Sequence, residues 1–421
     1  MTHPYQVHDI MSSHTIGDGE PIVIDHRKSS GVYLVDAITG RPYLDCSSQF
    51  ASMAIGWNHP KMEVHKEKLG RIGIHKYANS DFYSPELAEF VDKFAWEIAP
   101  DFSHFFFIEG GALGVENAIK AAFDWKARKL GWGENEVHQL DVIHLKQAFH
   151  GRSGYTLSLT NTIPNKTDLF PKFGWTRIKN PKITFPMVDS EVLVDEEFSL
   201  CEAELALKTN HVAAIILEPI QSEGGDNHFT PRYLAALRAL ADKHEAMLIF
   251  DEVQTGVGLT GKMWAYEHFG VIPDMITFGK KTQVCGFAST VRISDIPNNV
   301  FNTTSRINST FGGNIVDMVR FTAIANIIIE DRLVENAAVI GEYFLEQLRT
   351  IPVITNIRGR GLMLAFDLTS GEHRNKVLTK LNQKMTILPC GEKSIRIRPH
   401  LIFNKNNVDE AVSYIRHAIS Y

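Results

Sequence analysis

VAAIILEPIQSEGGDNHFTPRYLAALRALADKHEAMLIFDEV, residues 212–253, sets an apolar run, a polar turn, a helical period and a second apolar run in that order. The two runs, VAAIILEPI (212–220) and AMLIFDEV (246–253), are near-continuously apolar. Strands covered on both faces read this way, because neither side of the pleat meets water. Between them, PRYLAALRALADKHEA begins at Pro231 and spaces Leu234, Leu237 and Ala241 for one helix face, with Thr230 as its cap. This order predicts a βαβ unit in a parallel sheet. Each run closes on an acid, Glu218 or Asp251, at the edge where open α/β sheets bind ligands.

The same alternation of short apolar runs and helical periods begins near residue 85. Before it, the opening segment to about residue 50 reads as short strands, with GVYLVDAITGRPYLDC giving two β-rich runs around a turn. After about residue 315 the pattern predicts one long helix, IVDMVRFTAIANIIIEDRLVENAAVIGEYFLEQLR, and then strands in GLMLAFDL and SIRIRPHLIF. No internal repeat or low-complexity tract interrupts the chain.

Composition narrows the function. The 421 residues are 44% hydrophobic and 22% charged, with a net charge of -6, an ordinary globular balance without the basic stripe that nucleic acid needs. The first 21 residues are polar and no stretch is apolar enough to span a bilayer, so a cytoplasmic, membrane-free protein is expected. Four scattered cysteines lack CxxC spacing and the eighteen histidines lack ligand spacing, so no metal is expected.

FDEVQTGVGLTGKMWAYEHFGVIPDMITFGKK (250–281) ends one apolar run in carboxylates and the next in amines. Buried charges need partners or a purpose. Three turns converge on pyridoxal 5′-phosphate (PLP). HFFFIEGGALGVENAIKAAFDWKAR runs from a strand through Gly110 and Gly111 into a helix, whose first amides and dipole suit a phosphate; alone, the turn is equally a tight-packing device. Asp251 could hold a pyridine nitrogen protonated, with Val253 and Gln254 beside the ring and its phenolic oxygen. PDMITFGKK delivers an amine to a desolvated strand end, suited to imine chemistry, although spacing does not choose between Lys280 and Lys281.

Over its whole length the chain resembles the class III (subgroup II) PLP-dependent aminotransferases of fold type I. LIFDEVQTGVGLTGKMWAYEHFGVIPDMITFGKK carries the family signature, and NHP (58–60), AFHGR (148–152), EP (218–219) and STFGGN (309–314) follow in the family's order. The resemblance implies a large domain, residues 56–314, with a mainly parallel seven-stranded sheet. It also implies a smaller α+β domain built from residues 1–55 and 315–421. It makes Lys280 the imine-forming lysine, stacks Phe149 on the ring beside His150, and sends Thr310 to the phosphate of a neighbouring subunit's cofactor, hence a homodimer with composite sites. The stretch EGGALG departs from the relatives' Ser-Gly-Ala/Thr-Glu-Ala; the amides of Gly111 and Ala112 remain, but a hydroxyl donor is absent.

The resemblance also carries Arg152 to a distal carboxylate site and Arg396 to a proximal one, with Arg398 two residues on as an alternative that strand alternation does not exclude. Glu223 matches the acid that neutralises Arg396 while an ω-amino substrate is bound, an attraction of about 4 kcal/mol at about 4 Å and an effective dielectric near 20. QSEGGDNHF and FGKKTQVCG are most similar to the L-lysine 6-transaminases. They imply transfer of the ε-amine of L-lysine to 2-oxoglutarate, giving 2-aminoadipate 6-semialdehyde and L-glutamate. Ornithine, acetylornithine or 4-aminobutyrate are the alternative amine donors. An aminomutase, a decarboxylase or a non-catalytic amino-acid-binding protein are the other readings.

Overall fold

The β-rich and helical runs become a three-layered α/β body with a smaller α+β part in the computed structural model, which describes residues 2–420. Its strands are β1 (Tyr33–Val35), β2 (Pro42–Asp45), β3 (His104–Ile108), β4 (Asp141–Leu145), β5 (Arg177–Ile178), β6 (Val212–Leu217) and β7 (Met247–Asp251). β8 (Met275–Phe278), β9 (Cys285–Ser289), β10 (Thr355–Arg360), β11 (Met363–Asp367), β12 (Met385–Thr386), β13 (Leu388–Cys390) and β14 (Ser394–Ile397) follow.

Seven strands form the main sheet in the order β3-β9-β8-β7-β6-β4-β5, parallel except where β9 enters. β6 and β7 sit at its centre with Ile216 opposite Ile249, and their apolar residues are fully buried, as the runs at 212–220 and 246–253 predict. The crossover helix spans Pro231–Lys243; Thr230 Oγ1 accepts from Tyr233 N at 3.2 Å, and Leu234, Leu237 and Ala241 face the sheet. Neighbouring strands therefore deliver Glu218, Asp251 and Lys280 to one edge. No described helix is long and apolar enough to cross a membrane.

The first and last segments meet. β1 and β2 form the hairpin expected from GVYLVDAITGRPYLDC, and β2 then pairs in parallel with β12, Leu44 opposite Met385. β10, β11, β14 and β13 make a separate antiparallel sheet. Three expectations need correction. The opening segment is not all strand: Val7–His14 is an exposed helix with no buried residue. The long helix after residue 315 is two, Ile315–Glu330 and Leu333–Arg349, broken at Asp331 and at Arg332, whose φ is +53°. The first packs on the helix Pro85–Lys93 and the second on β10, directions one straight rod cannot serve together. SIRIRPHLIF is strand only to Ile397, because Arg398 N leaves the ladder to donate to Cys46 O at 2.7 Å.

That departure places His400 beside Asp45. Asp45 Oδ2 lies 3.1 Å from His400 Nε2 and accepts from Trp57 Nε1 at 3.2 Å; Oδ1 accepts from Ser48 N at 2.8 Å and Thr386 Oγ1 at 2.7 Å. Burial pushes this carboxyl up, but the His400 ring and these donors outweigh it and hold it well below the usual range. A carboxylate depressed in the fold contributes stability that is complete above its unfolded value, about 3.9, and lost as pH falls below it. Asp45→Asn is therefore expected to cost about 3 kcal/mol at pH 7, with the deficit shrinking in acid, read from urea unfolding at pH 7 and pH 3.

Candidate active site

The tandem acids at the end of β7 split to opposite sides. Asp251 Oδ2 lies 2.8 Å from His150 Nδ1, and its Oδ1 accepts from Thr277 Oγ1 at 3.0 Å and Val253 N at 3.1 Å. Thr277 is its register partner in β8, so the sheet itself supplies one of these donors. Glu252 turns away, accepting from the Thr255 hydroxyl and from Tyr266 N at 2.8 Å, and burial lifts its carboxyl to about 7. One acid serves the cavity and the other the packing behind it.

The two lysines divide in the same way. Gly279 is extended, and Lys280 then takes φ +53°, a left-handed turn that aims its side chain into the cavity at the sheet edge. Burial lowers the Lys280 amine from its ordinary value; Asp251 opposes that shift and Arg396 adds to it. Lys281 points away from the cavity into the protein, 1% exposed, with its Nζ lacking a hydrogen-bond partner among the described residues. Of the two lysines, Lys280 lines the cavity and Lys281 does not.

The cavity holds about 880 Å³ and is lined by Gly111, Ala112, Phe149, His150, Arg152, Glu223, Asp251, Val253, Gln254, Lys280 and Arg396. Its floor at one end is the start of the helix Gly111–Leu130, whose first amides have no acceptor within the helix. A Cβ at Gly111 would stand 3.0 Å from Val253 Cγ1, a tight contact that glycine avoids. Farther along, a Cβ at Gly114 would meet Gly286 O at 2.7 Å, so the unusual Gly114 lets this helix press on β9. Glu218, at the end of β6, anchors the opposite wall by accepting from Phe149 N at 3.0 Å and Ser222 N at 2.9 Å. Burial pushes its carboxyl up to about 7, His150 pulling it down and Asp251 raising it.

Two expectations about the arginines come out differently from one another. Arg396 lines the cavity and its Nε and Nη1 have no hydrogen-bond partner among the described residues. Arg398 is locked: its Nη2 lies 2.5 Å from Asp226 Oδ1, and its Nη1 donates to Ile397 O at 2.9 Å and Leu364 O at 3.2 Å. It also donates to Gln254 Oε1 at 3.3 Å from Nε, so it holds a cavity residue without entering the cavity. The expected Glu223–Arg396 pair, however, is not formed. Glu223 Oε1 instead lies 2.6 Å from Lys166 Nζ and accepts from Thr162 Oγ1 at 2.8 Å. Lys166 closes the short turn Pro164–Lys166, a surface-loop cation that no sequence motif distinguishes from its neighbours.

Arg152 is exposed at the cavity mouth. Thr310 lies outside this chain's own cavity; it is exposed, its carbonyl accepting from Ser80 Oγ at 3.0 Å. Glu218 lines the cavity, as do Lys166, Ser222, Phe50 and Arg374, to which the sequence assigned no part in it. For Glu218 the acid closing an apolar run was the signal; for the others none was visible.

A buried amine, an acid backed by histidine, an aromatic wall and a helix start enclose one cavity, and comparison with known proteins gives this set its context. The family described as aminotransferase class-III matches residues 16–419. The chain belongs to the class-III aminotransferases. The L-lysine-epsilon aminotransferase of Mycobacterium tuberculosis (strain ATCC 25618 / H37Rv) is 45% identical, the match covering 99% of this chain and 96% of the relative. That of Streptomyces clavuligerus is 43% identical, over 99% of this chain and 95% of the relative. Among solved structures, lysine aminotransferase from M. tuberculosis in the internal aldimine form superposes with a TM-score of 0.96 at 44% identity, covering 100% of this chain and 99% of that one.

Class-III aminotransferases depend on PLP, and the cavity fits that group. His150 Nε2 is buried without a hydrogen-bond partner among the described residues, Gly111 and Ala112 line the cavity at the helix start, and Phe149 and Val253 offer apolar surfaces for a ring. No group of three or more His, Cys, Asp or Glu that could hold a metal ion is found among the described residues.

Proposed function

We propose that the protein is an L-lysine 6-transaminase, moving the ε-amine of L-lysine to 2-oxoglutarate and releasing 2-aminoadipate 6-semialdehyde and L-glutamate. The observation that carries this reading is Arg396, a buried guanidinium in the same cavity as Lys280, two of whose nitrogens have no hydrogen-bond partner among the described residues. It can take the α-carboxylate of a 2-oxo acid held with its carbonyl at Lys280. A lysine presenting its ε-amine carries its carboxylate at the far end, where Arg152 stands at the mouth. Glu223 then covers Arg396, since a substrate with a bare methylene there offers no anion. The lysine aminotransferase relatives point to the same donor.

In this reading Asp251, oriented by His150 and Thr277, faces the ring nitrogen of PLP. Phe149 and Val253 would cover the ring, Gln254 would bond its phenolic oxygen, and the amides of Gly111 and Ala112 would hold the phosphate. When bound, PLP supplies an electron sink that acidifies the carbon bearing the amine. Lys280 Nζ, whose ordinary basicity is lowered by burial, accepts the proton from the ε-carbon of lysine and returns it to the cofactor side. Phe149 and Phe50 exclude water from that transfer.

The reading includes a homodimer, with Thr310 completing the phosphate site of the partner subunit. Ser80, which bonds Thr310, is followed by Phe82 and Tyr83, 69% and 84% exposed, the kind of apolar surface a partner covers. It also places the protein in the cytoplasm, in keeping with four unpaired cysteines. The test is an assay of the purified holoprotein on lysine, ornithine and 4-aminobutyrate with 2-oxoglutarate, products identified by mass. Lysine is expected to lead in kcat/KM by at least about tenfold, roughly 1.4 kcal/mol of transition-state preference. Equal or better use of either rival donor overturns the assignment.

A further inference from the structure

We propose that Lys166 is the second seat of Glu223, a positioning residue that draws this carboxylate off Arg396 and so opens the arginine to the dicarboxylic 2-oxo acid. The inference rests on the two-substrate reading above. Its starting point is the contact no motif announced: Lys166 Nζ stands 2.6 Å from Glu223 Oε1, while the Arg396 nitrogens Nε and Nη1 have no hydrogen-bond partner among the described residues. A carboxylate that must leave Arg396 during half of each cycle still needs a cation when it has left, because its surroundings are largely desolvated. Glu223 is only 16% exposed, and Lys166 supplies that cation, with Thr162 Oγ1 as a second donor at 2.8 Å.

Only the side chain is free to move between the two seats. Glu223 O accepts from Gly391 N at 2.9 Å, just past the strand β13 that pairs with the strand of Arg396. A Cβ at the next residue, Gly224, would stand 2.0 Å from Gln147 O, and Arg358 Nη2 grips Gly225 O at 2.5 Å. Lys166 in turn is steadied with its Nζ 5.5 Å from the centre of the Phe149 ring, on the wall where the cofactor is placed. The backbone at Glu223 is thus held while its side chain can turn, and the carboxylate has two destinations whose populations the substrate can bias.

Lys166 acts through Glu223, and a double-mutant cycle tests that dependence. In Lys166→Met the carboxylate defaults to Arg396. The KM for 2-oxoglutarate and the dissociation constant of glutarate, a dicarboxylate with no reacting carbonyl, are both expected to rise about tenfold. The KM for lysine should change by less than about twofold, and Lys166→Arg should restore dicarboxylate binding. In a Glu223→Ala background, adding Lys166→Met should have no further effect on glutarate, measured by titration calorimetry on the holoenzyme. Unchanged glutarate affinity in Lys166→Met overturns the proposal. A loss that persists without Glu223 also overturns it, since Lys166 then contacts the ligand directly. Wild-type protein that neither aminates 2-oxoglutarate from lysine nor binds glutarate instead refutes the two-substrate reading beneath it.

Discussion

Lys280→Ala is expected to lower turnover with lysine and 2-oxoglutarate by at least about a thousandfold, the scale of losing both an amine nucleophile and a general base at one position. No neighbour can take its place. Lys281 is next in sequence, but it is turned into the protein and its amine is held well below its ordinary basicity by burial beside Lys280 and Arg398. The measurement has two parts, steady-state turnover and peptide mapping after borohydride treatment of holoprotein. A label on the peptide containing residue 280 in the wild type, absent from the variant, is the expected result. Retention of more than about a tenth of wild-type turnover, or a label on Lys281, would remove Lys280 from the centre of the chemistry.

Asp251→Ala is expected to be comparably severe, about a thousandfold or more in kcat/KM, and for a different reason. Asp251 is the acceptor on which His150 Nδ1, Thr277 Oγ1 and Val253 N converge. Its removal takes away the charge facing the proposed ring nitrogen and leaves three polar groups without that acceptor, so both cofactor affinity and rate should fall. Asp251→Glu should also fail, because the longer side chain cannot keep the 2.8 Å contact with His150 from the same strand position. Cofactor titration by absorbance together with kinetics separates the two effects. Near-normal rates at saturating PLP in Asp251→Ala would show that the acid only anchors the fold.

Much of what lines this cavity is legible in the sequence. β6 and β7 announced themselves because strands buried on both faces must be apolar throughout, and an acid closing such a run stands out against it. Gly110 and Gly111 marked the helix start, and Thr230 with Pro231 marked another, since caps and turns are local chemistry. The resemblance supplied the roles that spacing alone left open.

Other features depend on approach in space. The break at Asp331 and Arg332 carries no proline or glycine; it exists because the two halves pack on different partners. Alternation put Arg396 and Arg398 on one side of a strand, and only the strand's end at Ile397, with Asp226 waiting beyond it, separates the open cation from the locked one. Glu223 was matched to Arg396, yet it rests on Lys166, a residue 57 positions away in a loop. The sequence by itself determined the parallel sheet, the acid and amine at its edge, and the family chemistry, because burial patterns and turn signals are written in neighbouring residues. The tertiary structure decided which lysine and which arginine line the cavity and which cation partners Glu223, because those depend on directions and distances between segments that sequence order does not record.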